Sequence, residues 1–320
     1  MRRPDCRILS AVLGLMLFLL PACASAPAPA PDRTRFATPD EAAKAVMKGL
    51  KTNSAEELKA IFGPNVEKDL SSGDPVADRN DRQAMALAME QSWQWSPLQG
   101  DRMELVIGAE KWPLPVPLAK VSGGWQFDTD AGRDEILSRR IGRDELRAID
   151  VCRDYVTMQK EYAGQPRDAK VAGLYAQKFR SAPGRQDGLY WSVGAEETPS
   201  PLGGLIAQAV VEGYDQNKDS PQPLWGYYFR VLTAQGAAAK GGAKSYIVDG
   251  EMSGGFALIA YPADYGQGGI MTFIVNQDGV VYQKDLGEDT LNVAAKVSEY
   301  NPDSTWAEVK RASAVDGQHK

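Results

Sequence analysis

The sequence predicts an α+β fold in which two mixed regions are joined by a helical segment. Helix caps and apolar residues at helical spacing fill residues 38–93. Short strand-like runs follow over residues 103–128, and four β-branched and aromatic runs bounded by Gly, Pro and Asp fill residues 227–285. With 43% hydrophobic residues, the 320-residue chain can bury a substantial core, which excludes a disordered protein.

The N-terminus predicts an export signal. Three arginines precede an apolar run over residues 8–20, which is shorter than the roughly 20 residues that cross a bilayer. The sequence Leu-Pro-Ala-Cys at 20–23 is similar to a bacterial lipobox, whose cysteine is lipidated and becomes the mature N-terminus. We therefore expect a signal peptide over residues 1–22 and a lipid anchor on Cys23. Cleavage without lipidation, which would give a soluble periplasmic or secreted protein, is the alternative.

Charge and residue types exclude several classes of function. Loss of the leader, which holds three arginines and one aspartate, changes the net charge from −6 to −8. Such an acidic chain argues against nucleic acid as a partner. His319 is the only histidine, which excludes Ser-His-Asp and Cys-His catalysis and histidine zinc sites. Cys152 is expected to be a buried, inert thiol, and we expect no cofactor, no metal and no catalytic constellation.

The first mixed region begins with two capped helices. Thr38 and Pro39 occupy the cap and first position of one helix, and Ser54 with Glu57 makes a capping box for the next. The elements predicted after these are a helix over 79–93 and strands over 103–108, 112–120 and 124–128. This layout of helices followed by a curved antiparallel sheet resembles the cone-shaped fold of the nuclear-transport-factor-2-like superfamily. The resemblance implies that a pocket often lies inside the cone.

A helical middle and a β-rich half follow. We predict a helix from Asp134 to about Tyr162 with a break or kink at Gly142, and a further helix from Asp168 to Phe179. The basic run over 139–143 is interpreted as a solvated or salt-bridged face, with an anion or interdomain contact as the alternative. In the β-rich half we predict helices over 202–212 and 289–298, strands over 227–234, 256–261, 271–276 and 280–285, and a tight hairpin at Asp278-Gly279.

These elements predict the following organisation. We assign the signal peptide to 1–22, lipid attachment and a Pro/Ala tether to 23–35, an N-terminal α+β domain to 36–133, a helical connector to 134–180, a C-terminal antiparallel β-rich domain to 181–310 and a polar tail to 311–320.

Seven phrases of the chain resemble one known family, the bacterial domain of unknown function 2950. They are RIGRDELRAI (140–149), DGLYW (187–191), SPLGG (200–204), GYYFRVLTAQG (226–236), GGFALIAYPADYG (254–266), MTFIVNQDGVVYQKDLG (271–287) and PDSTW (302–306). The resemblance implies a bacterial exported protein without an established activity. Members are expected to carry histidine just before the GYYF phrase, where this chain has Trp225, so a histidine-dependent role would not transfer.

The C-terminal phrases also resemble the globular head of type IV pilin-like proteins. The shared pattern is a strand, an A-x-P-x-x-Y-G turn over 260–266 and a hairpin with Asp278-Gly279. A pilin would place a long apolar helix directly before this head, whereas this chain has a lipobox and an extra domain. The resemblance implies a shared fold and does not imply assembly into a filament.

Two groups of residues are candidates for binding. An exposed aromatic and acidic rim could stack on sugars or hold a peptide, with core and sheet packing as the alternative. Its predicted members are Asp187, Tyr190, Trp191, Trp225, Tyr228, Tyr261, Asp264 and Tyr265. Residues 215–219 have oxygen ligands at the opening spacing of a calcium loop, but Ser220 and Gly226 replace the required Gly and Glu, which favours a polar turn.

The sequence therefore predicts a non-enzymatic envelope protein, attached to the membrane by lipid and binding a partner protein or an envelope glycan. Because Ala24 and Ser25 follow Cys23 without an aspartate, the periplasmic side of the outer membrane is favoured. The alternatives are a carboxylate-dependent glycan hydrolase, which needs two carboxyl groups roughly 5–10 Å apart in one cleft, and an accessory component of a pilus or secretion system.

Overall fold

The computed structural model describes residues 30, 32–66, 71–168, 170–193, 199–211, 214 and 222–310. Within them, helices and antiparallel sheets confirm the α+β class. The predicted signal peptide, Cys23, the loop at 215–219 and the polar tail lie outside the described residues.

Three helices open the described part of the fold, and their caps explain where they begin. Helix α1 covers Pro39–Thr52 and α2 covers Ala55–Phe62; the predicted caps are confirmed, since Thr38 and Ser54 accept hydrogen bonds from backbone N–H groups of the first turns. The capping box is only half formed, because Glu57 accepts from Lys48 and Thr52 instead of returning to Ser54. Helix α3 covers Pro75–Gln91, earlier than predicted, because Asp74 caps it.

An antiparallel sheet follows. Its strands are β1 (Trp93–Leu98), β2 (Arg102–Ile107), β3 (Trp112–Pro113), β4 (Leu118–Val121) and β5 (Gly124–Phe127), in the order β1-β2-β4-β5 with β3 beside β2. Strand β1 was not predicted, since only its first residue, Trp93, fell within the helix predicted over 79–93, and the stretch predicted as one strand over 112–120 is divided into β3 and β4. The sheet and the three helices enclose the N-terminal core, which includes Val46, Phe62, Leu105 and Phe127.

One long helix, α4 (Thr129–Ala163), joins this core to the rest of the chain. Helix α4 is continuous through Gly142, so a break there is wrong, and a kink there stays a prediction. Glycine weakens a helix by about 1 kcal/mol relative to alanine, but α4 is held on both sides of Gly142. Ile136 lies in the N-terminal core, and Ala148 and Cys152 lie in the C-terminal core.

The helix predicted from Asp168 to Phe179 is also wrong. Asp168 and Gly173 have left-handed backbone angles, φ +48° and +94°, which no continuous α-helix contains. The backbone instead bonds to distant groups. Tyr175 N–H donates to the Met252 carbonyl, and Ala176 N–H donates to the Gln159 side chain, which is fully buried. Long-range hydrogen bonds therefore replace helical ones here.

The C-terminal half contains a second antiparallel sheet. After α5 (Gly203–Val211) come β6 (Tyr227–Leu232), β7 (Ala234–Gln235), β8 (Lys244–Ser245), β9 (Ile247–Val248), β10 (Glu251–Met252), β11 (Ala257–Pro262), β12 (Met271–Asn276), β13 (Val281–Asp285), α6 (Thr290–Lys296) and β14 (Ala307–Glu308). The sheet has the order β14-β13-β12-β11-β6, and α4 packs against β11 and β12. The predicted hairpin is confirmed, with residues 277–280 connecting β12 to β13 and φ +77° at Gly279.

Polar contacts connect the two halves. Asp74, 1% exposed, accepts hydrogen bonds from Tyr214 Oη at 2.6 Å and from Gly226 N at 3.2 Å. Glu145 Oε1 accepts from the N–H groups of Ile270 and Met271 at 3.0 and 2.9 Å. Helix α4 contributes to both cores, so the two halves share it. The predicted domain boundaries therefore stay predictions.

A candidate binding cavity in the N-terminal half

A cavity of about 560 Å³ opens within the N-terminal half, between α1, α2, α3, the first sheet and the start of α4. Its volume lies within the roughly 300–1,000 Å³ of typical small-molecule sites. Most of its lining is apolar. The apolar residues are Val46, Leu50, Leu58, Phe62, Val66, Ala84, Met85, Ala88, Ile107, Trp112, Leu114, Pro115, Val116 and Ile136.

The helical spacing of the lining residues places their side chains on the helix faces that border the cavity. Val46 and Leu50 are four residues apart on α1, and Leu58 and Phe62 have the same spacing on α2, so each pair lies on one helix face. Gly49 lets the two helices approach closely, because a Cβ there would lie 3.0 Å from Leu58 Cδ2. The two helices therefore present one continuous apolar surface to the cavity.

Charged side chains from α3 and α4 form one side of the cavity, which we call the charged wall. It consists of Asp78, Asp81, Arg82, Arg139, Arg140 and Arg143. Within the lining, four arginines stand against two aspartates, which leaves an excess of two positive charges. An apolar cavity with a cationic side is chemically suited to an amphiphile with an anionic end.

The predicted salt-bridged interpretation of the basic run 139–143 is confirmed. Arg143 Nη2 lies 2.8 Å from Asp81 Oδ2, and Arg139 Nε lies 2.6 Å from Glu135 Oε1. Arg139 also lies 5.0 Å from the ring centre of Trp112, and Arg140 Nη1 donates to the Ser71 carbonyl at 2.7 Å. These contacts fix the guanidinium groups in place beside the cavity.

Burial perturbs the ionisation of the charged wall and its neighbour Asp144. Desolvation raises the pKa of Asp78, although hydrogen bonds from Ser72 oppose it. Desolvation lowers the pKa of Arg140, opposed by the nearby charges of Asp78 and Asp144. Asp144 is 1% exposed, and burial raises its pKa to about 6 despite its ion pair with Arg143. Its Oδ2 has no hydrogen-bond partner among the described residues.

The two tryptophans of the predicted aromatic rim lie at two separate places along α4. Trp191 lies beside Tyr162 and under Arg167, whereas Trp225 lies beside Tyr214 and Arg147. The 15 residues from Arg147 to Tyr162 correspond to about 22 Å of helix. Both tryptophans are buried, at 9% and 4% exposure, as in the packing alternative.

The other rim residues have separate partners. Tyr228 and Tyr261 form a cross-strand pair with ring centres 5.7 Å apart, and the Tyr265 hydroxyl bonds to Asp285. The remaining three are Asp187, which pairs with Lys178, Tyr190, which lies beside Arg180, and Asp264, which is exposed beside Gly73. None of the eight residues lines the apolar cavity.

The described residues contain neither a metal-binding cluster nor a membrane-spanning helix. The described part of the chain contains no cluster of three or more His, Cys, Asp or Glu side chains suited to a metal ion. Of the helices described, none has the length and apolar character needed to cross a membrane. The expected burial of Cys152 is confirmed at 0% exposure, and desolvation raises the pKa of its thiol.

Sequence reasoning did not identify the cavity residues. The apolar side chains of α1 and α2 were recognised only as a buried face, and the layout resemblance implied a pocket without indicating its lining. The usable signal was the basic run at 139–143 beside an apolar cluster, because arginines near a core must be paired or serve a ligand.

Comparison with known proteins gives a family. A family model described as protein of unknown function, DUF2950, matches residues 33–309. No curated protein and no solved structure matches the chain. The similarity to pilin-like heads and to the nuclear-transport-factor-2-like cone therefore stays a prediction. The family match covers nearly all of the described residues, and the chain belongs to the DUF2950 family.

Proposed function

We propose that this protein is a non-enzymatic binding protein of the bacterial envelope, exported by its leader and anchored through Cys23, whose N-terminal cavity holds the apolar chain of an anionic amphiphile. The apolar cavity of about 560 Å³ with a charged wall carries the proposal. Long-chain carboxylates and similar amphiphiles have the matching chemistry.

Burial of an alkyl chain supplies the affinity. Each methylene moved from water into an apolar site contributes about 0.8 kcal/mol. A chain of eight methylenes would thus gain roughly 6 kcal/mol, from which the cost of ordering and immobilising the ligand is subtracted. A long chain is therefore needed for tight binding, and short carboxylates are expected to bind weakly.

The charged wall supplies orientation. Arginine presents a planar fork of N–H donors that fits a carboxylate or phosphate in a bidentate manner. Arg139 and Arg143 are 33% and 40% exposed, so both can reach an anionic group at the cavity edge while keeping their partners Glu135 and Asp81. A neutral alcohol of the same chain length should bind more weakly.

A glycan hydrolase remains the second candidate, and one observation favours it. Asp78 and Asp81 are three residues apart on α3, where Cβ atoms lie roughly 5–6 Å apart, and both line the same cavity. Against this, Asp78 accepts hydrogen bonds from Ser72 N–H and Oγ, and Asp81 pairs with Arg143. Outside the charged wall the lining is almost entirely apolar and offers few partners to sugar hydroxyls, so we favour the amphiphile. Association with a pilus or secretion system rests on fold analogy alone.

The test is a calorimetric titration of the mature chain with dodecanoate and dodecanol, using two variants of α3. Ala84 is exposed and lines the cavity, so Ala84→Trp should obstruct the entrance without filling the core. Leu87, 61% exposed on the same helix, is outside the lining, and Leu87→Trp is the matched control.

We expect dodecanoate to bind more tightly than dodecanol, and Ala84→Trp to weaken dodecanoate at least about tenfold, while Leu87→Trp leaves it unchanged. Failure of the unmodified protein to bind either compound would refute the proposal. Release of reducing sugar from envelope glycans, abolished by Asp78→Asn, would support the hydrolase instead.

A further inference from the structure

A second cavity, of about 240 Å³, lies near the C-terminal end of α4 and does not share residues with the first. It is bordered by residues 162–187 and by Glu251 of β10. Four cations line it, Arg167, Lys170, Lys178 and Arg185, against two carboxylates, Asp187 and Glu251. The lining therefore carries an excess of two positive charges in a chain whose net charge is −6.

Ion pairs hold three of these cations around the cavity. Lys178 Nζ lies 2.9 Å and Arg185 Nε lies 3.7 Å from Asp187 Oδ2. Lys170 Nζ lies 2.7 Å from Glu251 Oε1 on the other side. Arg185 Nε also lies 3.0 Å from Asp168 Oδ2. The carboxylates thus position cations that come from one segment of the chain, and Glu251 joins that segment to β10.

The cations have N–H donors that the ion pairs do not use and that a ligand could accept from. An ammonium has three N–H donors and a guanidinium has five, more than the ion pairs use. Arg167 lies 4.9 Å from the Trp191 ring centre and 5.8 Å from that of Tyr162, which fixes its plane. Its Nε is buried and has no hydrogen-bond partner within the described ranges. A small anion would satisfy donors that the protein leaves available.

We propose that this second cavity binds a phosphoryl group, either free phosphate or a phosphomonoester. Its volume is below the roughly 300 Å³ at which drug-sized ligands begin, which limits the buried part of the ligand to a small group. A phosphoryl group carries about two charges and three strong acceptor oxygens, so it can accept from several of the four cations at once. A carboxylate would duplicate Asp187, which already bridges Lys178 and Arg185. The proposal is independent of the amphiphile site.

The test is calorimetry at constant ionic strength and pH 7.5, with inorganic phosphate, glycerol 1-phosphate and glycerol as probes. Lys170→Gln with Lys178→Gln removes two cations that are 41% and 47% exposed. Lys44→Gln with Lys240→Gln removes two exposed lysines outside the cavity and is the matched control. Lys170→Arg with Lys178→Arg keeps the charge.

We expect saturable one-to-one binding of at least one phosphate probe and none of glycerol. The glutamine pair should weaken binding at least about tenfold, while the control and the arginine pair retain it. Equal affinity for the two anions would indicate a site for the free ion, and tighter binding of glycerol 1-phosphate a site for an ester. Absence of binding by both anions, or unchanged affinity in the glutamine pair, would overturn the proposal.

Discussion

The two halves of this protein build their cores from similar apolar residues, but the two cores are packed differently. In the C-terminal core, Leu258, Ile259 and Phe273 are all at 0% exposure between the sheet and its covering helices. In the N-terminal core, Leu58 and Phe62 are almost as buried, but they also border a cavity of about 560 Å³. Low solvent exposure therefore does not mean close packing. The N-terminal core borders a cavity of this size, whereas these C-terminal core residues are buried between the sheet and its covering helices.

The largest expected effect is a difference in the loss of unfolding free energy when two phenylalanines, one in each core, are replaced by alanine. Phe273→Ala removes a ring from the close-packed core and should lower the free energy of unfolding by about 4 kcal/mol. Phe62→Ala removes a ring that borders the cavity and has fewer contacts to lose, so we expect about 2 kcal/mol. Urea unfolding of both variants against the unmodified chain measures the difference. Equal losses would mean that the N-terminal core is as closely packed as the C-terminal one.

The second prediction concerns Asp144, at the junction of the halves. Burial raises its pKa from 3.8 to about 6, so between these pH values the folded state binds more protons than the unfolded state. Stability from this group is therefore fully present below about pH 4 and is lost as the pH rises to 6. The loss is about 3 kcal/mol.

Asp144→Asn should remove that pH dependence. Urea unfolding at intervals from pH 4 to 7 measures the free energy of unfolding of both proteins. As the pH rises, the unmodified chain should lose stability relative to the variant. Arg143 keeps Asp81 as a partner in the variant, at 2.8 Å. A difference that does not vary with pH would show that Asp144 ionises normally.

The smallest effect tests the helix shared by the halves. A Cβ added at Gly142 meets nothing within 4 Å, so Gly142→Ala should stabilise α4 by about 0.5–1 kcal/mol. At Gly132 a Cβ would lie 2.7 Å from the Pro115 carbonyl oxygen, so Gly132→Ala should destabilise. Thermal unfolding of the two variants checks the opposite signs. If Gly142→Ala also destabilises, α4 needs flexibility at its centre.

The elements that sequence predicts well are those fixed by neighbouring residues. Thr38 and Ser54 cap helices through residues in the first turn, and the Asp278-Gly279 hairpin needs only a local turn with positive φ at Gly279. The helix predicted over 168–179 failed because distant partners, Met252 and Gln159, take its backbone hydrogen bonds. Tertiary contacts of that kind leave no periodic signal.

The candidate sites were harder to predict for a related reason. Leu58 and Phe62 show the same spacing whether the space they face is filled or empty, so a cavity leaves no pattern of its own. The second cavity pairs Lys170 with Glu251 across a long sequence separation, and only the fold brings them together. Of the predicted rim residues, Asp187 lines that cavity and Trp191 lies against its Arg167, but the prediction identified neither the cavity nor Arg167.

The most direct measurement uses a spin-labelled long-chain fatty acid and methyl-labelled protein. Paramagnetic broadening in NMR reports which methyl groups lie near the chain. We predict broadening of the Val46, Leu58 and Val116 methyl groups, which line the cavity, while those of Leu232 and Val275 in the C-terminal core stay sharp. Broadening that is absent, or equal in both cores, would contradict the claim that the apolar chain of the ligand lies in the N-terminal cavity.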